Sequence, residues 1–127
     1  MLKNLEKFED DLKSGTLSAL NKNLGFCAKR FFYVSGVEKH GWRGDHAHRQ
    51  NKQLLVCVKG EILILLDNGK ETKGKTLKQG QYVFVDNMVW DKQQYLTGED
   101  ILLCICSDEY DEKDYIKNYE QFLEELE

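Results

Sequence analysis

Residues 53–69 read QLLVCVKGEILILLDNG and place two apolar runs on either side of a Lys59-Gly60 turn. Aliphatic and β-branched residues in runs of this length are typical of buried strands. The second run ends at Asn68-Gly69, a pair whose tolerance of positive φ favours a hairpin turn. This stretch therefore predicts consecutive antiparallel strands.

Further short runs of the same kind lie on both sides of this stretch. They are FFYV at 31–34, KETKGKTL at 70–77, YVFV at 82–85 and ILLCIC at 101–106. Short strands at regular spacing, separated by glycine-bearing turns, are typical of a sandwich or a barrel. We therefore expect an all-β fold.

The end of the chain changes period. In DEKDYIKNYEQFLEELE, residues 111–127, the apolar side chains recur at helical spacing from Tyr115 to Leu126. This pattern predicts a C-terminal helix that packs its apolar stripe against the sheet or against a partner subunit. With no internal repeat and no linker, residues 1–127 are expected to form a single domain.

The charge of the chain is unevenly distributed. The formal net charge is −4, with a pI near 5.4, which argues against a nucleic-acid partner. Nine acidic residues against two lysines give residues 107–127 a charge of −7, so the other 106 residues carry +3. An anionic small ligand is therefore compatible with the acidic composition.

The sequence favours a cytoplasmic protein. No run approaches the ~20 apolar residues of a membrane span, and MLKNLEKFEDDLK at the N-terminus lacks the apolar region of a signal peptide. The cysteines, at positions 27, 57, 104 and 106, lack zinc-site spacing and are expected to be reduced thiols. We expect no membrane partner.

The stretch GWRGDHAHRQNKQ, residues 41–53, carries the candidate chemistry. His46 and His48 are one residue apart, so on a strand both side chains point to the same face. Two imidazoles on one face suit metal coordination or proton transfer, whereas two solvated histidines on an edge strand would need no function. The spacing alone leaves these interpretations open.

This stretch resembles the first motif of the cupin superfamily, whose metal-binding members place Glu where this chain has Gln53. The second cupin motif resembles residues 80–91, GQYVFVDNMVWD, with Asp91 in place of the usual metal-binding histidine. A neutral amide oxygen is a poor ligand for transition metals. We therefore expect no dedicated metal site.

A closer resemblance covers the chain from about Lys29 to Phe122. The blocks RFFYV, WRGDHAHR, QLLVCVKG, VFVDNMVW and SDEYDEKDYI occur in the order seen in the nucleotide-sugar 3,4-ketoisomerases. These are metal-independent cupins that act on dTDP-4-keto-6-deoxyglucose. The resemblance implies a jelly-roll cupin barrel with a C-terminal helix, an isomerase without a cofactor, and a homodimer that often exchanges an N-terminal strand.

The implied reaction moves a ketone from C4 to C3 of a hexose. A base removes the C3 proton, which is acidic beside the C4 carbonyl, and the enediolate is reprotonated at C4. The resemblance implies that His46 and His48 do this work. We favour His48 as the carbon base and His46 as the proton shuttle between O3 and O4, although the reverse order fits the sequence equally.

Other residues of the matching blocks are candidates for the pocket. Tyr33, Arg43 and Gln53 are candidate donors to the enediolate oxygens, for which preorganised hydrogen bonds supply much of the catalysis. Arg30 is the candidate for the diphosphate, because a guanidinium suits phosphate oxygens. Trp90 is a candidate for stacking on the base or sugar, with core packing as the alternative.

Two departures from the family pattern bear on the substrate. Ser14 stands where many relatives have arginine, and Asp91, a candidate pocket residue, stands where many have histidine. The first puts the C4 configuration of the product in question, and the second changes the charge of the pocket.

Two other functions remain open. In a metal-dependent cupin, His46, His48 and Asp91 would form a two-histidine, one-carboxylate triad. In a non-catalytic cupin, the chain would bind a sugar nucleotide without turnover.

Overall fold

Residues 2–8 and 15–127 are described by a computed structural model of the chain. The position of Ser14 lies outside these residues. The strands are β1 Lys3–Asn4, β2 Glu6–Phe8, β3 Leu17–Ala19, β4 Arg30–Val34, β5 Trp42–His48, β6 Gln53–Lys59, β7 Glu61–Asp67, β8 Thr72–Lys78, β9 Gln81–Val85, β10 Trp90–Tyr95, β11 Ile101–Cys106 and β12 Tyr115–Ile116. One helix, α1, spans Tyr119–Glu125.

The strands form two five-stranded antiparallel sheets that face each other. One sheet has the order β1-β9-β6-β11-β4 and the other has the order β12-β5-β10-β7-β8. A separate hairpin pairs β2 with β3. The all-β fold expected from the strand pattern is confirmed.

The core lies between the two sheets and follows from alternation along the strands. In β11 the side chains of Leu102 and Cys104 are buried, and their neighbours in sequence are only half-buried. They pack with Leu55 of the neighbouring strand β6 and with Ile62 and Ile64 of β7 in the facing sheet. All four cysteines of the chain are free thiols.

Glycine makes two of the tight turns possible. Gly69, at a φ of 92°, lies in the loop that joins β7 to β8 in the expected hairpin, whose last pair is Asp67 with Thr72. Gly60, at a φ of 87°, packs directly on Asp100, whose Oδ1 accepts a hydrogen bond from the backbone N–H of Glu61 at 2.8 Å. A side chain at Gly60 would collide with this carboxylate.

The C-terminal helix is shorter than the sequence pattern predicts. Tyr115 and Ile116 form β12, which pairs with His48 and Ala47 at the free edge of β5. Strand pairing satisfies backbone groups that the first turn of a longer helix would leave without partners. The helix begins after Asn118, whose Oδ1 accepts from the backbone N–H of Gln121 at 2.9 Å.

The helix closes one end of the second sheet. Phe122 is fully buried against Ala47, Trp90 and Ile116, and this cluster fastens α1 to β5 and β10. Within the described residues no helix is long and apolar enough to cross a membrane.

Candidate active site

A cavity of about 290 Å³ lies at one end of the barrel, between the two sheets. Its inner wall is apolar and includes Val34, Leu55 and Leu102. The polar side chains that face it come from three strands, β5, β6 and β10, and from residues 110–117, and they are Arg43, His46, Gln53, Gln93, Tyr110, Tyr115 and Lys117. A small polar ligand with an apolar face would fit such a lining.

A β-bulge in β5 aims two of these side chains into the cavity. Asp91 of β10 pairs with His46 and the next residue pairs with Gly44, so Asp45 is skipped in the ladder. Asp45 has a φ of 71°, and its Oδ1 accepts from Nε1 of Trp90 at 2.9 Å. The extra residue lets Arg43 and His46 face the same side although they are three residues apart.

The two histidines lie side by side, as the spacing predicts. The ring centroids of His46 and His48 are 5.1 Å apart, and the rings meet edge to face. Tyr115 lies against both rings, at 5.1 Å from His46 and 4.4 Å from His48. The pairing of β12 with β5 therefore gives the histidine pair an aromatic neighbour.

The orientation of His48 is fixed by Asp114. Nδ1 of His48 is 3.2 Å from Oδ2 of Asp114, and this carboxylate also accepts the backbone N–H groups of Gln50 and Asn51 at 2.7 Å and 3.1 Å. An acceptor-only carboxylate assigns the proton to Nδ1 and leaves Nε2 as the basic nitrogen. That Nε2 is buried and has no hydrogen-bond partner among the described residues.

Both imidazoles are neutral at neutral pH. Burial, reinforced by the neighbouring His48, lowers the pKa of His46 from 6.5 to about 4. Burial also lowers the pKa of His48, and the hydrogen bond and charge of Asp114 offset part of this effect. A neutral imidazole with a free nitrogen is able to accept a proton.

The other sequence-predicted residues divide into those near the cavity and those away from it. Arg43 and Gln53 line the cavity, and the amide Nε2 of Gln53 is 3.5 Å from Sγ of Cys106. Arg30 lies at the edge, where its guanidinium carbon is 5.4 Å from the ring of Phe32 and 5.7 Å from that of Tyr110.

The structure does not bring Tyr33 and Trp90 into this cavity. On β4 the cavity side is taken by Phe32 and Val34, so Tyr33 points outward and is 64% exposed. Trp90 points to the other side of β10, where it packs against Phe122 with its N–H held by Asp45. Neither side chain therefore lines this cavity, because alternation along a strand reverses the face at every residue.

Asp91 lies behind the cavity wall and is 1% exposed. Its Oδ1 accepts from Nε2 of Gln93 at 2.5 Å, and Oδ2 is buried without a partner among the described residues. Burial raises the pKa of this carboxyl from 3.8 to about 7. The contact of Asp91 with the cavity is therefore indirect, through Gln93.

The facial-triad alternative has no geometric support in the described part of the chain. No group of three or more His, Cys, Asp or Glu side chains there is arranged to hold a metal ion. Nδ1 of His48 faces Asp114, and Asp91 is engaged by Gln93. Asp91, the proposed carboxylate ligand, therefore has the amide of Gln93 as its partner.

Sequence reasoning missed several residues at the site. Asp114 and Tyr115 belong to the SDEYDEKDYI block, for which the residues alone gave no role. Lys117 and Gln93 had no recognisable signal, because their place at the cavity depends on how β12 and β10 pair with neighbouring strands.

Comparison with known proteins identifies the group to which this barrel and its histidine pair belong. The family model FdtA: WxcM-like, C-terminal matches residues 1–127. A curated relative from Aneurinibacillus thermoaerophilus, TDP-4-oxo-6-deoxy-alpha-D-glucose-3,4-oxoisomerase, is 32% identical over 120 residues, covering 94% of this chain and 86% of that protein. The class defined by the fold and the site is the cupin-like sugar isomerases.

Solved structures agree with this assignment. A 3,4-ketoisomerase from Helicobacter canadensis superimposes with a TM-score of 0.90 at 29% identity, covering 99% of this chain and 96% of that one. QdtA, a sugar 3,4-ketoisomerase from Thermoanaerobacterium thermosaccharolyticum in complex with TDP, gives 0.88 at 29% identity, with coverages of 99% and 93%. A histidine-to-asparagine mutant of QdtA is known in complex with TDP-4-keto-6-deoxyglucose. The chain belongs to the FdtA family.

Proposed function

We propose that this protein is a sugar 3,4-ketoisomerase that converts dTDP-4-keto-6-deoxyglucose to a dTDP-3-keto-6-deoxyhexose. The observation that carries the proposal is the geometry of the histidine pair: His46 lines the cavity, and beside its ring lies His48, whose Nδ1 faces Asp114 and whose Nε2 is buried without a partner among the described residues. Relatives at about 30% identity are named as enzymes of this reaction.

The reaction needs only proton transfers. His48 Nε2 removes the proton from C3, and the electron pair of the C–H bond forms the C3–C4 double bond while O4 takes the negative charge. C4 is then protonated by His48, and the O3 proton moves to O4 through His46, which leaves the ketone at C3. Two neutral imidazoles whose rings lie 5.1 Å apart suit this pair of transfers.

The remaining polar residues stabilise charge. Arg43 and Gln53 line the cavity and are placed to donate to the enediolate oxygens. Arg30, at the edge of the cavity, serves the diphosphate, and its Nε is buried without a partner among the described residues. The mechanism requires neither a metal nor a redox cofactor.

The cellular setting follows from the substrate class. The resemblance implies deoxyamino-sugar synthesis for a surface polysaccharide as the setting, and we propose that the enzyme is cytoplasmic. Residues 1–127 act as a single domain, without nucleic acid or membrane partners.

We propose a homodimer as the working form. Phe31 and Tyr33 project from β4 and are 70% and 64% exposed, and β4 is the edge of its sheet. Leu103 and Ile105 of β11 continue this apolar face, which we call the β4 face. An apolar face beside an open strand edge favours a second copy of the chain as its partner.

The test is incubation of the purified protein with dTDP-4-keto-6-deoxyglucose, with and without prior EDTA treatment, followed by NMR. We expect a C3 ketone at equal rates in both samples. Loss of activity in EDTA that returns with a divalent metal would favour the metal-dependent alternative. Thermal stabilisation by dTDP with no conversion would favour the non-catalytic alternative.

A further inference from the structure

Three side chains of β10 form a polar chain behind the cavity wall. Asp91, Gln93 and Tyr95 alternate along the strand, so all three point into the barrel. All three are buried, and only Gln93 reaches the cavity. The proton transfers proposed above use none of them.

The amide of Gln93 is held in one orientation by its two neighbours. Nε2 donates to Oδ1 of Asp91 at 2.5 Å, and Oε1 accepts from the hydroxyl of Tyr95 at 3.4 Å. The Oδ1 oxygen accepts this bond whether Asp91 is ionised or protonated, because its partner is a donor-only amino group. The contact with Asp91 therefore selects the orientation in which the NH₂ end lies beside it, and the Tyr95 hydroxyl, which donates as well as accepts, is compatible with that orientation.

Gly44 leaves space for this amide at the cavity. A Cβ on Gly44 would lie 2.7 Å from Nε2 of Gln93 and 3.2 Å from the backbone oxygen of Asp91. Gly44, Gln93, Arg43 and His46 all line the same cavity. The NH₂ group of Gln93 has two N–H bonds, and Asp91 takes one of them.

We infer that the second N–H of Gln93 Nε2 binds an oxygen of the hexose, and that Asp91 is a positioning residue that acts through Gln93. The inference rests on the proposed function, because it names a contact of the same substrate. A residue that donates at position 91 would turn the amide over and present its oxygen to the sugar. The residue at 91 therefore decides which hydrogen-bonding group the hexose meets.

The test compares four single variants with the wild type. Gln93→Met keeps the length of the side chain and removes the amide, and Gln94→Met makes the same change one residue away, where the amide bonds to the backbone oxygen of His40. Asp91→Leu removes the oxygen that accepts the hydrogen bond from Gln93 Nε2, whereas the side-chain oxygen introduced by Asp91→Asn is still able to accept it. Each variant is first checked by circular dichroism and thermal melting.

We expect Gln93→Met and Asp91→Leu to raise the KM for the keto sugar nucleotide about tenfold, the loss of roughly one hydrogen bond. The affinity for dTDP alone should not change, since dTDP lacks the hexose. Gln94→Met should match the wild type, and Asp91→Asn should have a smaller effect than Asp91→Leu. The double variant Gln93→Met/Asp91→Leu should be no worse than Gln93→Met alone.

A Gln93→Met enzyme with the KM of Gln94→Met would overturn the inference, as would an equal loss of affinity for dTDP. If Asp91→Leu does not fold, Gln93→Met still gives the answer. If the wild type binds the sugar nucleotide without isomerising it, the proposed function fails by itself. Calorimetric affinities for the sugar nucleotide and for dTDP in the same variants then decide the Gln93 contact.

Discussion

The imidazole of His48 contacts the carboxylate of Asp114 and lies against the ring of His46, which lines the cavity. Asp114 holds the proton on Nδ1, and burial lowers the pKa so that the ring is neutral at neutral pH. His46 beside it has a pKa of about 4 and stays neutral over a wider range. The pair is thus ready to accept protons in the resting enzyme.

Replacing His48 tests the carbon base. His48→Asn should lower kcat by ~10²–10⁴-fold and leave dTDP affinity nearly unchanged, because only the proton transfer is lost. The matched control is His40→Asn, since His40 is exposed at a φ of 70°, a conformation that asparagine tolerates. Steady-state kinetics with a full rate in His48→Asn would contradict this role.

Replacing Asp114 tests the orientation and the pKa of His48. Asp114 raises the pKa of His48, so its removal should lower that pKa further. Activity is lost as pH falls through the pKa of the base, so the acid limb of the kcat/KM profile of Asp114→Asn should move to lower pH. The maximum rate of Asp114→Asn should fall roughly tenfold or more, because no carboxylate then holds the proton of His48 on Nδ1.

An acid limb of Asp114→Asn that coincides with that of the wild type would show that the carboxylate does not set this pKa. Thermal melting of the same variant separates a kinetic effect from loss of the 49–51 turn, whose backbone N–H groups Asp114 also accepts.

Single residues were predicted well where a short motif fixed them and poorly where pairing between distant strands did. The spacing of His46 and His48 is local, so the sequence sufficed for their common face. The face of Tyr33 was not predictable, because the three aromatic residues of FFYV fall on both faces of the strand and only the sheet decides which face points inward. The partnership of Asp114 with His48 joins residues 66 apart in the chain.

At the scale of elements, the segment after β11 has two roles. Asp114 and Tyr115 contact His48 at the site, and α1 covers one end of the second sheet. The helical spacing from Tyr115 onward is real, yet Tyr115 and Ile116 pair with β5 and the helix begins only at Tyr119. The spacing correctly identified the apolar side chains of this segment. The backbone of Tyr115 and Ile116 is nevertheless extended rather than helical, because these residues pair with the open edge of β5. The boundary therefore depends on β5, which lies far away in sequence.

The docking of α1 should depend on Phe122. Phe122 is fully buried against Trp90, so Phe122→Ala should lower the free energy of unfolding by about 3–5 kcal/mol. Leu123→Ala on the same helix is the control, because Leu123 is 37% exposed and should cost much less. Denaturant titration of both variants gives the comparison, and equal losses would contradict this packing.

At the scale of the whole molecule, the strand runs predicted an all-β sandwich or barrel, and the two facing sheets of the structure confirm the all-β fold. Alternating or fully apolar runs and glycine turns are local signals, so the sequence alone was enough to predict the strands from them. The order of strands within each sheet is not local, and the sequence supplied it only through family resemblance. Residues that meet at the cavity depend on that order.

The β4 face provides the prediction for assembly. Phe31→Glu places a charge on this face and should convert a dimer of about 30 kDa into a monomer near the chain mass of 14.8 kDa. Leu123→Glu places the same charge on an exposed apolar position of the helix and should leave the dimer intact. Light scattering across micromolar concentrations measures both, and a wild type that is monomeric throughout would refute the homodimer.

The most direct test of the account is the fate of solvent deuterium during turnover. The wild-type protein is incubated with dTDP-4-keto-6-deoxyglucose in deuterated water, and early product is examined by NMR. Proton removal by His48, exchange of the Nε2 proton with solvent and reprotonation by the same group predict a 3-keto sugar that carries deuterium at C4. A 3-keto product that forms at the full rate with only protium at C4 would contradict solvent-exchanging base catalysis, and no product at all would contradict the proposed activity.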